Sequence, residues 1–201
     1  MTKAADQPSL ALDTGPAIYL DALGYVEATS HVGGLVLPPA VVRELERKPN
    51  AWGARVPQLE CTKLAVPDPG LVQIISAQRA LDAGEAEVIA LAAGSGGVLP
   101  VLDDRKAREY AEANGIVIRG TVGILIELHE RGLAARSIEH DISSLRREGM
   151  RLGDALAASV VERVRRSELT VDPRLRRNRA SRGRWPAHRH PPGRGGRDLG
   201  G

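Results

Sequence analysis

The sequence predicts an α/β fold: a three-layer sandwich with a central, mostly parallel sheet, followed by a disordered basic tail. Three observations lead there. Short apolar runs alternate with helix-patterned stretches, the order that builds parallel sheets. The run VLPVL (98–102) is apolar without alternation, as a strand covered on both faces must be. From Thr170 onward the chain turns to Arg, Gly and Pro with almost no apolar periodicity, too little to offset its ordering entropy. We therefore expect a folded domain over 9–168 and an unstructured tail over 169–201.

The elements follow in order. SLALD (9–13) reads as a strand, and TGPAIYLDAL as a helix with Thr14 at its N-cap and Pro16 in the first turn. LVL (35–37) is a second strand, and PPAVVRELER opens a second helix on prolines. A loop containing Pro and Trp runs from Pro49, with a brief strand expected at Leu64–Val66. LVQIISAQRALDAG and GEAEVIALAAG read as helices, the latter with apolar residues at 88, 89, 91 and 92. After VLPVL, RKAREYAEANG is a helix closed by Gly115, IVIRG (116–120) a strand, and TVGILIELHERG a helix. Two more helices are expected over 136–148 and 152–166. The run Gly94-Ser95-Gly96-Gly97 lacks the lysine of a phosphate loop and reads as a turn.

Composition narrows the function. The chain has 201 residues, 42% hydrophobic and 26% charged, ordinary values for a globular protein. Phe is absent and aromatics are 2%, so the core must be aliphatic and base-stacking platforms are nearly excluded. The net charge of +3 conceals two halves. Residues 1–168 carry 19 Lys and Arg against 23 Asp and Glu, a net −4; residues 169–201 carry nine Arg against two Asp, a net +7. The basic character belongs to the tail. The longest charge-free runs, 28–42 and 88–102, are 15 residues each and too short for a membrane span. Residues 1–9 hold no apolar leader, and a lone Cys61 excludes an intrachain disulfide; both fit a cytoplasmic protein. Cys61 has no nearby histidine to activate it and is expected to be buried and inert. No G-x-S-x-G elbow exists, and His31, His129, His140, His188 and His190 offer no zinc spacing.

What remains is a set of carboxylates. Parallel sheets bind ligands beyond the carboxyl ends of their strands. Asp13 ends the first strand, Asp103 and Asp104 follow VLPVL, and Glu85 and Glu87 open the helix before it. Glu44 lies one and a half turns into the helix after the second strand. Each has an ordinary explanation: Asp13 as a helix cap, Glu85 and Glu87 as partners of a helix dipole, Glu44 as an i+4 partner of Lys48. Adjacent carboxylates closing an apolar strand have no packing motive. Gathered on one rim without cations, such acids would repel one another, and a divalent ion with oxygen ligands, Mg²⁺ or Mn²⁺, would relieve the conflict.

These blocks resemble the PIN domains, in particular a VapC-related subgroup of predicted nucleic-acid-binding proteins. The resemblance runs over residues 10–166, through ALDTGPAIYL, LVLPPAVVRELE, GEAEVIALA, the long VLPVLDDRKAREYAEANGIVIRGTVGILIELHERGL and EGMRLGDALAASVVERV. It implies a metal-dependent ribonuclease whose four acids are Asp13, Glu44, Glu85 and Asp104, with Asp103 as a neighbouring ligand and Thr121 as a hydroxyl beside them. Gly15 stands where the subgroup often has Ser, and Glu85 where many relatives have Asp. The resemblance further implies RNA as substrate, a homodimer, and a role as the toxin of a toxin–antitoxin pair with a cognate antitoxin. Arg43, Arg105 and Lys106 flank the acids and are the nearest candidates to grip RNA, with Arg108 close behind; a solvated helix face is the ordinary reading of Lys106 and Arg108. Two other functions compete. One is a PIN-like binding module for nucleic acid or protein that has lost turnover. The other is a phosphoacceptor receiver domain, which wants its adjacent acids after the first strand, whereas here they come late, at Asp103 and Asp104.

Overall fold

The computed structural model describes residues 7–48, 52–79 and 81–170. Four short strands form one all-parallel sheet: β1 (Ser9–Leu12), β2 (Gly34–Leu37), β3 (Thr62–Leu64) and β4 (Val98–Val101), in the order β3-β2-β1-β4. Nine α-helices among the described residues surround it: α1 (Thr14–Ala22), α2 (Val26–Thr29), α3 (Pro39–Glu46), α4 (Pro69–Arg79), α5 (Ala83–Gly94), α6 (Arg105–Ala113), α7 (Thr121–Glu130), α8 (Ile138–Arg147) and α9 (Asp154–Thr170). None of these helices is long and apolar enough to cross a membrane. The expected α/β sandwich with a parallel sheet is what the chain forms.

Strand order decides where chemistry can sit. The chain runs outward from β1 to β2 and β3, then returns to β4 on the other side of β1. The sheet's switch point therefore lies between β1 and β4, where crossovers diverge and leave a crevice at the strand ends. Register aligns Leu12 with Val101, and the Asp13 N–H donates to the Val101 carbonyl at 3.2 Å. Asp13 and the Asp103-Asp104 pair thus leave the sheet side by side. Leu10, Ala11 and Leu12 are at most 1% exposed, so β1 is the packed centre of the sheet. The largest fully buried side chains are all Leu and Ile, as a chain without Phe requires. Each such burial contributes roughly 1.5–3 kcal/mol.

Several local expectations are corrected. IVIRG is not a strand: segment 116–120 makes a single parallel bridge, Arg119 to Val101. Arg119 donates to the Pro100 carbonyl at 2.9 Å and accepts from the Leu102 N–H at 2.8 Å. Extending the ladder toward Val117 would need an N–H from Pro100, and proline has none. The third strand begins two residues earlier than expected, at Thr62. Within the expected loop, a 3-10 helix spans Trp52–Gln58 and lies against α1 at Gly53, where a Cβ would come within 2.6 Å of Ile18 Cγ1. Residues 49–51 lie outside the described residues, as do 171–201, the bulk of the predicted tail. Helix α2 is a single turn too short to carry a periodic signal. Cys61 is half-buried rather than buried, and burial raises its thiol pKa, which keeps it protonated and unreactive.

A buried polar knot fastens the C-terminal helices to the sheet layer. Asp141, fully buried on α8, accepts from the Tyr25 hydroxyl at 2.8 Å and from Arg136 Nε at 3.2 Å, and lies 2.9 Å from His129 Nε2. The Tyr25 hydroxyl in turn accepts the N–H groups of Ala135 and Arg136, and the Arg136 guanidinium stacks over the Tyr25 ring at 5.3 Å. Removing the carboxylate would strand several donors in a dry interior. Asp141→Ala is expected to cost about 3–5 kcal/mol in urea denaturation. Asp154→Ala, which removes the 98%-exposed partner of Arg146, should leave the midpoint almost unchanged; equal losses would contradict this account.

Candidate functional site

Asp13 is the residue around which the site is built. It occupies the N-cap position of α1 in extended conformation, yet its side chain makes no capping hydrogen bond. The ordinary explanation for an Asp at this position is therefore absent. Thr14, expected as the cap, is the first helical residue, and its hydroxyl goes elsewhere. Asp13 is only 9% exposed. Desolvation raises its pKa to about 7; the Thr14 N–H opposes that shift, while the charges of Asp82, Glu85 and Glu44 add to it. No cation is among the leading influences on it. A carboxylate buried among carboxylates is costly to ionise.

The other acids arrive from three elements. Glu44, half-buried on α3, accepts a 2.6 Å hydrogen bond from Thr14 Oγ1, which fixes it beside the start of α1 instead of letting it pair with Lys48. Glu85 is 7% exposed in the first turn of α5. It forms a reciprocal capping box with Asp82: the Glu85 N–H donates to Asp82 Oδ1 at 2.8 Å, and the Asp82 N–H donates to Glu85 Oε2 at 3.0 Å. Burial raises the Glu85 pKa, the Asp82 N–H lowers it, and the charges of Asp82, Asp104 and Glu44 raise it further. Glu87 has a different task. It accepts the Ala40 N–H at 2.7 Å, satisfying the start of α3 from α5, and stands 3.6 Å from Arg43.

The adjacent pair after β4 divides. Asp104 is exposed at the N-cap of α6, where Oδ1 accepts the N–H groups of Lys106 at 2.7 Å and Ala107 at 3.1 Å. Its charge reaches Glu85. Asp103 is held by the buried Thr121, taking its N–H on Oδ1 at 2.9 Å and its hydroxyl on Oδ2 at 2.6 Å. Asp103 acts on Tyr19 rather than joining the leading charges on Asp13 or Glu85. It lines a groove of about 1040 Å³ whose walls include Arg108, Arg119, Arg131, Arg151 and Arg163. The structure thus brings Asp13, Glu44, Glu85 and Asp104 into one electrostatic neighbourhood, while Asp103 is held by Thr121. Sequence reasoning missed Asp82 and the Thr14 hydroxyl. The D-x-x-E spacing of a capping box was the available signal for Asp82.

Among the described residues, no three His, Cys, Asp or Glu side chains already stand as a finished metal-holding group. The donor chemistry nevertheless fits a hard divalent cation: the neighbouring groups are all carboxylates, and the most buried of them has no cationic partner. Asp13 also makes stability depend on pH in a definite sense. Its folded pKa lies above its unfolded value, so the folded state holds the proton more tightly, and stability falls as pH rises from about 4 to about 7. Asp13→Asn removes that loss. In metal-free buffer its stability relative to wild type should improve between pH 4 and pH 8 by up to about 4 kcal/mol, three pKa units converted. A difference that does not change with pH in thermal or urea denaturation would contradict the buried, unbalanced Asp13.

Comparison with known proteins points the same way as the geometry. No curated protein matches the chain. A family model described as the PIN domain matches residues 10–166, from the second residue of β1 into α9. That span is most of the chain and contains every acid of the site. The chain belongs to the PIN domain family, whose members are generally nucleases.

Proposed function

We propose that this chain is a metal-dependent endoribonuclease that hydrolyses RNA phosphodiester bonds with Mg²⁺ or Mn²⁺. The observation that carries the reading is Asp13: nine-tenths buried at the switch point of a parallel sheet, pKa near 7, and ringed by Glu44, Glu85 and Asp82. A divalent cation bound among these acids would offset the cost of ionising them. Asp13, Glu44, Glu85 and Asp104 would hold the ion. Bound there, the metal supplies a lowered pKa for an attacking water and charge neutralisation at the phosphoryl oxygens.

The protein's own groups prepare that chemistry. Thr14 fixes the Glu44 carboxylate, the Asp82 N–H fixes one oxygen of Glu85, and the first turn of α6 fixes one oxygen of Asp104. Glu44, Glu85 and Asp104 are thus each held by hydrogen bonds from neutral groups, with no cation between the acids. Around it stand exposed cations. Arg43 shares Glu87 at 3.6 Å, Arg105 shares Glu109 at 3.7 Å, and the Lys106 side chain is exposed one residue further on. The exposed Arg105–Glu109 pair is worth about 0–1 kcal/mol, so a phosphate can displace its carboxylate, whereas the largely buried Glu87 keeps Arg43 at 3.6 Å. In the groove beside Asp103, Arg119 and Arg131 pair with Glu127 and Arg163 with Glu130, leaving Arg108 and Arg151 as further candidates to meet phosphate. A toxin role with a cognate antitoxin and a homodimer belong to this reading as the family resemblance implies them, and a cytoplasmic location as the lone Cys61 suggests.

A second reading has its own observation. The acids do not stand at finished ligating spacing, and Glu85 and Asp104 each commit an oxygen to a helix cap. A PIN-like module that binds nucleic acid or protein without turnover would have that arrangement. One assay separates the two. Purified protein should cleave RNA with Mg²⁺ or Mn²⁺ and not with EDTA. Asp13→Asn and Asp104→Asn should each lower the rate by about 100-fold or more, the scale of several kcal/mol of transition-state stabilisation. Arg105→Ala with Lys106→Ala should raise KM and leave kcat nearly unchanged. RNA binding without cleavage in either metal would favour the binding module, and cleavage that survives EDTA would contradict the metal mechanism.

A further inference from the structure

Between Asp82 and Glu85, the first turn of α5 contains Gly84, a buried glycine whose φ is not in the left-handed region. Its backbone conformation gives no reason for glycine. Its surroundings do. A Cβ at this position would come 3.1 Å from Asp13 Oδ1, 3.3 Å from Val41 Cγ2 and 3.4 Å from Asp82 Oδ1. Oδ1 of Asp13 and Oδ1 of the exposed Asp82, the oxygen that accepts the Glu85 N–H, therefore border the same small space, and the missing side chain keeps it open. Asp13 is nine-tenths buried and directs an oxygen there without a capping bond of its own.

From this juxtaposition we infer that Asp82 is a fifth carboxylate of the cation site proposed above, and that Gly84 is the residue that admits it. The inference rests on that proposal. Asp82 does two things at once. Its N–H holds one oxygen of Glu85 at 3.0 Å, and its own carboxylate adds negative charge beside Asp13. The first makes it a positioning residue for Glu85. The second makes it a contributor to the attraction for a cation.

The competing account is that Asp82 only caps α5. Cap and charge can be separated by substitution, because Ser and Asn cap helices about as well as Asp but carry no charge. The probe is Mn²⁺ alone, titrated into the full-length chain, with free Mn²⁺ read by electron paramagnetic resonance. Asp82→Ser should weaken Mn²⁺ affinity by about 10-fold to 100-fold, the range for groups supporting metal ligands, while the thermal midpoint of the metal-free protein holds or rises. If Asp82→Ser does not fold, Asp82→Asn provides the same comparison. Gly84→Ala should also weaken Mn²⁺ binding, although Ala is the better helix former. Mn²⁺ affinity unchanged in the Asp82 variants, with Asp13→Asn abolishing it, would overturn this inference and leave the cation site standing. Wild-type protein that binds no Mn²⁺ would overturn both.

Discussion

Everything in this molecule's functional rim follows from one awkward placement: a carboxylate buried at the end of the central strand with other carboxylates for neighbours. The Asp13 N–H is tied to β4, its side chain is nine-tenths buried, and its proton is held to about pH 7. A buried acid of this kind ordinarily finds an Arg or a ring of backbone amides. Here the Thr14 N–H alone opposes the shift, and three acids reinforce it.

The remaining architecture distributes the acids around that point. Parallel strands in the order β3-β2-β1-β4 open a crevice between β1 and β4, and the helices that follow each strand deliver one acid apiece to its edge. Neutral groups hold them: a hydroxyl from Thr14 for Glu44, an amide from Asp82 for Glu85, amides of α6 for Asp104. None of these bonds cancels charge. Where the structure does neutralise an acid it does so elsewhere, with Arg136 on Asp141 in the interior and Arg43 on Glu87 at the start of α3. What distinguishes the rim is that two of its acids, Asp13 and Glu85, are buried without an ion pair.

Much of this was legible in the sequence because it rests on local rules. The order of apolar runs and helix-patterned stretches, prolines at helix starts and the unbroken VLPVL run predict the fold class; strand ends mark Asp13 and Asp104, and a helix start marks Glu85. What escaped had tertiary causes. Whether IVIRG pairs as a strand depends on a neighbour's missing N–H at Pro100, which the segment's own β-branched residues do not reveal. Asp103 and Asp104 are equivalent on paper, and only the contact with Thr121, eighteen residues on, separates them. Thr14 was read as a cap because its neighbours look like a helix start; its hydroxyl instead crosses to α3. Asp82 falls inside the helix that the sequence predicts over 71–84; the structure ends that helix at Arg79 and makes Asp82 the N-cap of α5.

The central claim is that Asp13 is an acid held protonated by its surroundings until a cation replaces the proton. Carbon-detected magnetic resonance of the Asp13 carboxyl reads this directly. In metal-free buffer the carboxyl signal should titrate with a midpoint near 7, and adding Mg²⁺ should move that midpoint downward. A midpoint near the ordinary value of 3.8, or one that Mg²⁺ leaves unmoved, would contradict the account.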